Sequence, residues 1–276
     1  MRIACAGVLV IACLTACIEP SAARDFGFYG SFGYNFGRGG DFWASSLAFD
    51  AEYEVEGVED HYVSLGEGLK FEGGVQEKLS ENIALRVGGG YSRLAPSVRA
   101  KNTGPSEYLW QDQTLTGRIV YFQGLLLLTS NRESVRPYAG AGAGLFYAKA
   151  KTDGPTWVCY NEGCSEFGFV DMETEYRFGG TIGFTAVLGF DYPLRGGSRL
   201  FAELNMQQVG FTIEEQELIK ATEDGVDVRD RIEFAGSEPG NENMIVFEKD
   251  SVERRNPWVL QGSSIGFRVG VKIGSW

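Results

Sequence analysis

Residues 26–37 read Phe-Gly-Phe-Tyr-Gly-Ser-Phe-Gly-Tyr-Asn-Phe-Gly. Aromatic side chains hold every even position except Gly30, while the odd positions carry Gly27, Tyr29, Ser31, Gly33, Asn35 and Gly37. Alternation with a period of two describes a strand with one apolar face and one small, polar face. The second face is too small for an ordinary solvated surface and suits a narrow barrel interior. The stretch therefore reads as the first strand of a membrane-spanning β-barrel, aromatics toward lipid and small residues toward the lumen.

The same division recurs along the chain. A second strand spans about 62–79, with Leu65, Leu69, Phe71, Val75 and Leu79 outward and Lys70, Glu72 and Gln76 inward. After a turn at Ser80-Glu81-Asn82, a third (83–94) turns Ile83, Leu85, Val87 and Tyr91 to lipid and Arg86 inward. The fourth (114–128) is apolar on both faces from Ile119 onward; Arg118 assigns its even residues to the lumen, with a bulge shifting the register beyond it. The fifth, 137–147, alternates alanine and glycine from Ala139 to Gly144. The sixth, 176–192, sets Tyr176, Phe178, Ile182, Phe184, Leu188, Phe190 and Tyr192 against Arg177, Gly179, Thr181, Gly183, Thr185 and Gly189. A seventh sets Leu200, Leu204 and Met206 against Glu203, Asn205 and Gln207, and the last sets Ile265, Phe267, Val269, Val271 and Ile273 against Arg268 and Lys272.

The fold class is thus all-β: an antiparallel up-and-down transmembrane barrel of eight strands, residues 24–276, with ten strands as the alternative if 47–56 and a further segment of the last long connection also span. Long connections at about 38–62, 95–113, 149–175 and 210–257 alternate with tight turns, as in outer-membrane barrels. The first strand is expected to close the ring against residues 265–273. Gly27, Gly33 and Gly37 would leave lumen space for long cationic side chains.

Composition agrees. Of 276 residues, 38 are glycine and 13% are aromatic, against an ordinary glycine share of ~7%. The net charge of −12 is concentrated in two segments: 38–62 carries seven acids and one base, and 210–257 thirteen acids and six bases. Such a balance disfavours nucleic acid and marks solvated external segments.

Residues 1–23 read as an export signal, with Arg2, an apolar run from Ile3 to Ile18 and the small residues Ser21-Ala22-Ala23. Leu14-Thr15-Ala16-Cys17 offers the rival reading of a lipobox. The apolar run falls short of the ~20 residues of a spanning helix. Cys159 and Cys164, the two cysteines beyond the signal, are expected to form a loop disulfide contributing on the order of 2 kcal/mol. A metal site is not expected, because His61 is the single histidine.

The run Phe71-Glu-Gly-Gly-Val75, continuing through Leu79-Ser-Glu-Asn-Ile83 to Tyr91, resembles the small eight-stranded outer-membrane barrels of diderm bacteria, the OmpA-like, OmpX-like and opacity-type proteins. Pro137-Tyr138 opening a Gly-Ala strand and the terminal Trp276 belong to the same resemblance. It implies residence in the outer membrane, contact with outer-membrane lipid and lipopolysaccharide, a monomer, and insertion by the barrel-assembly machinery through the strand ending at Trp276. Trp276 is out of phase with Val271 and Ile273, and a bulge at Gly274-Ser275 would restore it.

Inward parity collects Lys70, Glu72, Arg86, Arg118, Arg177, Glu203, Arg268 and Lys272. An eight-stranded interior is just wide enough to be filled by side chains, so these charges are expected to pair into a plug. The sharper alternative is a narrow polar path, its basic excess favouring anions. An outer-leaflet lipid-modifying enzyme is the third reading, with His61 beside Asp60 and Ser64; an odd spacing puts Ser64 on the opposite strand face, so no enzyme is expected. Gly140–Gly144 lacks the lysine and helix of a phosphate loop, and Asp224–Asp230 lacks calcium-loop order, so no cofactor is expected. The leading expectation is a structural, surface-contacting protein.

Overall fold

The computed structural model describes residues 26–37, 64–94, 114–130, 134–159, 167–231 and 259–274. Among them the strands are β1 (Phe26–Gly37), β2 (Gly68–Ser80), β3 (Ile83–Arg93), β4 (Thr114–Thr129), β5 (Arg136–Cys159), β6 (Phe167–Phe178), β7 (Thr181–Pro193), β8 (Ser198–Gln208), β9 (Gly210–Glu223), β10 (Val226–Asp227), β11 (Val259–Gln261) and β12 (Ser264–Gly274). All pairings are antiparallel.

Eight strands close a ring in the order β1, β2, β3, β4, β5, β7, β8, β12. The seam joins β1 to β12 with Phe28 opposite Ile273, Phe32 opposite Val269 and Phe36 opposite Ile265, the pairing that the first stretch called for. Between β5 and β7, Ala139 faces Leu188 and Leu145 faces Ile182. The ring needs no further strand, which sets aside the ten-strand alternative; residues 47–56 themselves lie outside the described residues.

Pattern and exposure agree around the circumference. Ile182 is 67% exposed and Phe28, Leu128, Leu188 and Ile273 each 61%, while Tyr29, Leu127, Gly183, Val187 and Lys272 beside them turn inward and are buried. Water would not support so continuous an apolar exterior; lipid does.

Three expectations change, beside that for Leu65, which is buried inside rather than turned to lipid because it stands in the turn before β2, which begins only at Gly68. In β4 the odd residues face inward: Tyr121, Gln123, Leu125 and Leu127 are buried and Arg118 points outward. Its pairings with β3 and β5 run without a register shift, so no bulge follows Arg118. The strand is apolar on both faces because Leu125 and Leu127 pack inside against Ala84, Tyr138 and Val187.

Second, much of the connections at 149–175 and 210–257 is strand. β5 continues to Cys159, pairs with β6 from Lys149–Arg177 to Cys159–Phe167, and β6 pairs with β9. The result is a sheet rising beyond the ring on the long-connection side. Its outer positions are Lys149, Lys151, Asp171, Glu173 and Glu175, polar because they meet water; a lipid-facing pattern could not reveal them.

Third, Tyr176 and Phe178 do not face lipid. Inward parity switches from even residues in β6 to odd residues in β7 across Gly179-Gly180, where the Gly179 amide donates to the Thr212 carbonyl at 3.3 Å. Phe178 is buried, its ring 5.9 Å from that of Phe211, and Arg177 lies outside, above the ring. The cysteine pair lies outside the described residues, apart from the backbone of Cys159.

Candidate functional site: the charged interior of the barrel

Six of the eight charges expected inside are there: Lys70, Glu72, Arg86, Glu203, Arg268 and Lys272. Period-two geometry delivers them, each standing at an inward position of β2, β3, β8 or β12. Arg118 and Arg177 are not among them, for the reasons of parity given above. Asp191 of β7 and Arg199 of β8 join the buried set, making five cations and three carboxylates.

Two glutamates organise the centre. Glu72 accepts from Tyr29 Oη at 2.8 Å, Tyr121 Oη at 2.8 Å and Gln123 Nε2 at 2.9 Å. Glu203 accepts from Arg86 Nη1 at 2.8 Å and Tyr138 Oη at 2.6 Å. Arg268 lies between them, its Nη1 on Glu72 and its Nε on Glu203. Arg86 also donates to Gln76 Oε1 at 3.2 Å, and its guanidinium lies 5.1 Å from the centre of the Tyr29 ring. Lys70 donates to Gln207 at 3.0 Å and sits 4.6 Å from the Tyr121 ring centre. Nearer the short turns, Lys272 pairs with Asp191 at 2.7 Å, and Arg199 donates to the Ser134 carbonyl at 3.0 Å.

Space for these aromatic donors comes from glycine. A Cβ at Gly88 would strike the Tyr29 hydroxyl, and one at Gly90 the Tyr121 ring. Of the glycines singled out in β1, Gly33 abuts Arg268, whereas Gly37 abuts Ser64 and Glu67.

Toward the long connections the interior becomes apolar. Leu65, Leu94, Leu115, Ile119, Phe146, Phe178, Val209 and Phe211 form one buried cluster with Tyr121, whose ring stacks on Phe146 at 5.4 Å. Lys70 and Arg268 are each 1% exposed and Arg86 and Lys272 0%. A water-wide path past these groups would expose them, so among the described residues none runs through the centre. A recess of about 30 Å³ at the short-turn mouth, lined in part by Lys78, Asp191 and Arg199, is far below the ~300 Å³ of a small-molecule pocket.

Outside the ring the chemistry is shared with water. Arg177 reaches Glu175 at 3.2 Å, Glu215 at 2.8 Å and Glu217 at 3.4 Å, Lys149 reaches Glu175 at 3.1 Å, and Lys151 reaches Glu173 at 2.9 Å. Hydrogen bonds from Lys149 and Arg177 hold the Glu175 carboxyl below its ordinary pKa. Asp224-Gly225 is the turn between β9 and β10, both residues at positive φ (50° and 81°), and Asp227 is taken up by Arg229 at 2.7 Å. His61 lies outside the described residues. Ser64 is buried, donating to the Ser263 carbonyl at 2.7 Å and accepting from the Gly66 amide at 3.2 Å.

Eight strands closed without an edge, an apolar exterior and a charged, filled interior are now in place. The fold is that of a small outer-membrane β-barrel. Two solved structures are remotely similar to the chain. A major outer membrane protein from Thermus thermophilus is 12% identical, covering 92% of this chain and 100% of its own, with a TM-score of 0.47. Neisserial surface protein A is 13% identical over 92% of this chain and 100% of its own, with a TM-score of 0.38. Likeness this remote carries nothing about residues or activity. No family model matches the sequence, and no curated protein matches it significantly.

Sequence reasoning missed Asp191, Arg199 and the tyrosines as network members. Asp191 shares the parity of Thr185 and Gly189, and Tyr138 that of Gly140, so the signal was present for both. Tyr121 was hidden by the parity assigned from Arg118.

Proposed function

We propose that this chain is an integral outer-membrane protein whose barrel is a closed anchor and whose external sheet and connections make contacts at the cell surface. The observation that carries this reading is the burial of Lys70, Arg86, Arg268 and Lys272 to 1% exposure or less: an interior sealed by ion pairs and an apolar cluster suits an anchor, not a conduit. The strands that continue past the ring, β5, β6 and β9, give the protein a structured surface where the anchor ends. Contact with lipopolysaccharide on the outside, insertion by the barrel-assembly machinery and a monomeric state belong to the same reading. No catalytic role is part of it.

Planar-bilayer recording of the refolded full chain tests the closed state. Quiet bilayers are expected, and steady conductance steps that Arg268→Ala alters would replace the anchor with a pore. A chain in which 149–175 and 210–257 are exchanged for short turns is expected to keep the gel-mobility shift on boiling and to lose surface contacts.

A further inference from the structure

We infer that the outer face of the barrel, at its external rim, binds the phosphorylated headgroup of an outer-leaflet lipid through Arg93 and Arg118. Arg93 of β3 stands opposite Arg118 of β4, Arg118 opposite Lys149 of β5, and Lys149 opposite Arg177 of β6. Directly opposed residues share one face of a sheet, with Cβ atoms ~4.5–5.5 Å apart, and like charges so placed destabilise it. Four cations in one row therefore need anions.

One half of the row has them. Lys149 and Arg177 share Glu175, and Arg177 also holds Glu215 and Glu217. The other half differs: both Arg93 and Arg118 are exposed, and no described carboxylate bonds either one. Their surroundings are those of a membrane boundary. Two residues deeper on the same strands, Tyr91 stands opposite Val120 and Val120 opposite Tyr147, respectively 38%, 52% and 37% exposed. Leu69, opposite Arg93 on β2, is 51% exposed.

Two adjacent guanidinium groups above an apolar, aromatic-edged belt match an amphiphile with a phosphate at its head. Planar arginine forks donate paired hydrogen bonds to phosphate oxygens, while the acyl chains lie along Tyr91, Val120 and Phe122. The headgroup anion then supplies the charge that Glu175 supplies to the neighbouring half. This site rests on the outer-membrane placement proposed above.

The test uses the full chain refolded in mild detergent and examined by native mass spectrometry with three probes: diphosphorylated lipid A, the same lipid with its phosphates removed, and inorganic phosphate. The intact protein is expected to retain lipid A, and Arg93→Gln/Arg118→Gln to weaken retention roughly tenfold or more, as loss of charge-assisted hydrogen bonds implies. Arg93→Lys/Arg118→Lys, which keeps charge but not the forks, is expected to fall between. Equal retention of the dephosphorylated lipid, or unchanged retention by the glutamine variant, would overturn the site. So would inorganic phosphate displacing lipid A at equal concentration, which would mark a free-anion site. Each variant is first checked for the mobility shift on boiling. Absence of the shift in the parent chain would remove the membrane placement itself, whereas a shifting protein with unchanged lipid retention removes only this site.

Discussion

The interior network and the external sheet use the same groups at the same separation in opposite surroundings. Arg86 meets Glu203 at 2.8 Å with both side chains 0% exposed, and Arg177 meets Glu215 at 2.8 Å with exposures of 43% and 55%. Distance cannot tell them apart; solvent can. Water and salt screen the external pair, which must also hold two long side chains in place. Inside, each ion has lost its hydration and depends on the partners the barrel supplies. The interior pairs are therefore a condition of closure, and the external ones adjust a sheet that its backbone ladder already holds.

Breaking the interior should have the largest effect. Glu203→Ala leaves the Arg86 and Arg268 guanidinium groups facing each other without their shared carboxylate, and the expected loss is ~3–5 kcal/mol. Denaturant titration of the chain refolded into vesicles, read by the gel-mobility shift on boiling, measures it. A loss no greater than that at an external glutamate would end the distinction between the two regions.

The next effect concerns the belt between them. Phe32 is 58% exposed and lies on the closing seam, opposite Val269 on β12 and Phe71 on β2. Phe32→Arg places a charge on the lipid face, costing ~2–4 kcal/mol near the bilayer midplane, and is expected to slow or block insertion in a vesicle-folding assay. Wild-type insertion would mean that this face does not meet lipid.

The two regions also differ in how far the sequence exposes them. The ring was legible because lipid on one side and a narrow lumen on the other impose alternation, so that β1, β7 and β12 could be paired or faced from residue parity alone. Six of eight interior charges followed from the same rule. It fails at Arg118, where a charge on a strand suggests the lumen although a long cation at the rim reaches headgroups or water. It fails again at Gly179-Gly180, where the inward face changes parity without any break in apolar alternation. Beyond the rim the rule has no purchase: β6 and β9 carry charge on the face that meets water, as a loop would, and only their backbone ladder identifies them as strand. Of the tyrosines only Tyr121 is turned to lipid by the parity that Arg118 suggests, whereas Tyr29, Tyr121 and Tyr138 all turn inward as hydroxyl donors to Glu72 and Glu203.

That last point supports a sharper test within the interior. Tyr138→Phe removes one 2.6 Å donor from Glu203 while leaving Arg86 and Arg268 in place. The expected cost is ~1.5–3 kcal/mol, the range for a hydrogen bond to a charged group. Combined with Glu203→Ala the two losses should not add, because the hydroxyl then has no carboxylate to satisfy. Strict additivity in a double-mutant cycle would place Tyr138 outside the network.

The smallest effect belongs to the external sheet. Glu175→Gln is expected to cost at most ~1 kcal/mol, as for an exposed pair, and to leave insertion and the mobility shift unchanged. Its sign with pH is nevertheless defined. Hydrogen bonds from Lys149 and Arg177 lower the folded-state pKa of Glu175, so its contribution is fully present above the unfolded value of ~4.3 and disappears as pH falls through the lower folded value. Hydrogen exchange of β6 amides should be faster in Glu175→Gln than in the parent chain at neutral pH, and the difference should vanish in acid. High salt at neutral pH should shrink the same difference, while the interior pairs, shielded from ions by the apolar cluster, keep the ring closed under both treatments. A β6 exchange difference that persisted through acid and salt would show that Glu175 acts through packing rather than charge, and the contrast between the two regions would then have to be drawn on other grounds.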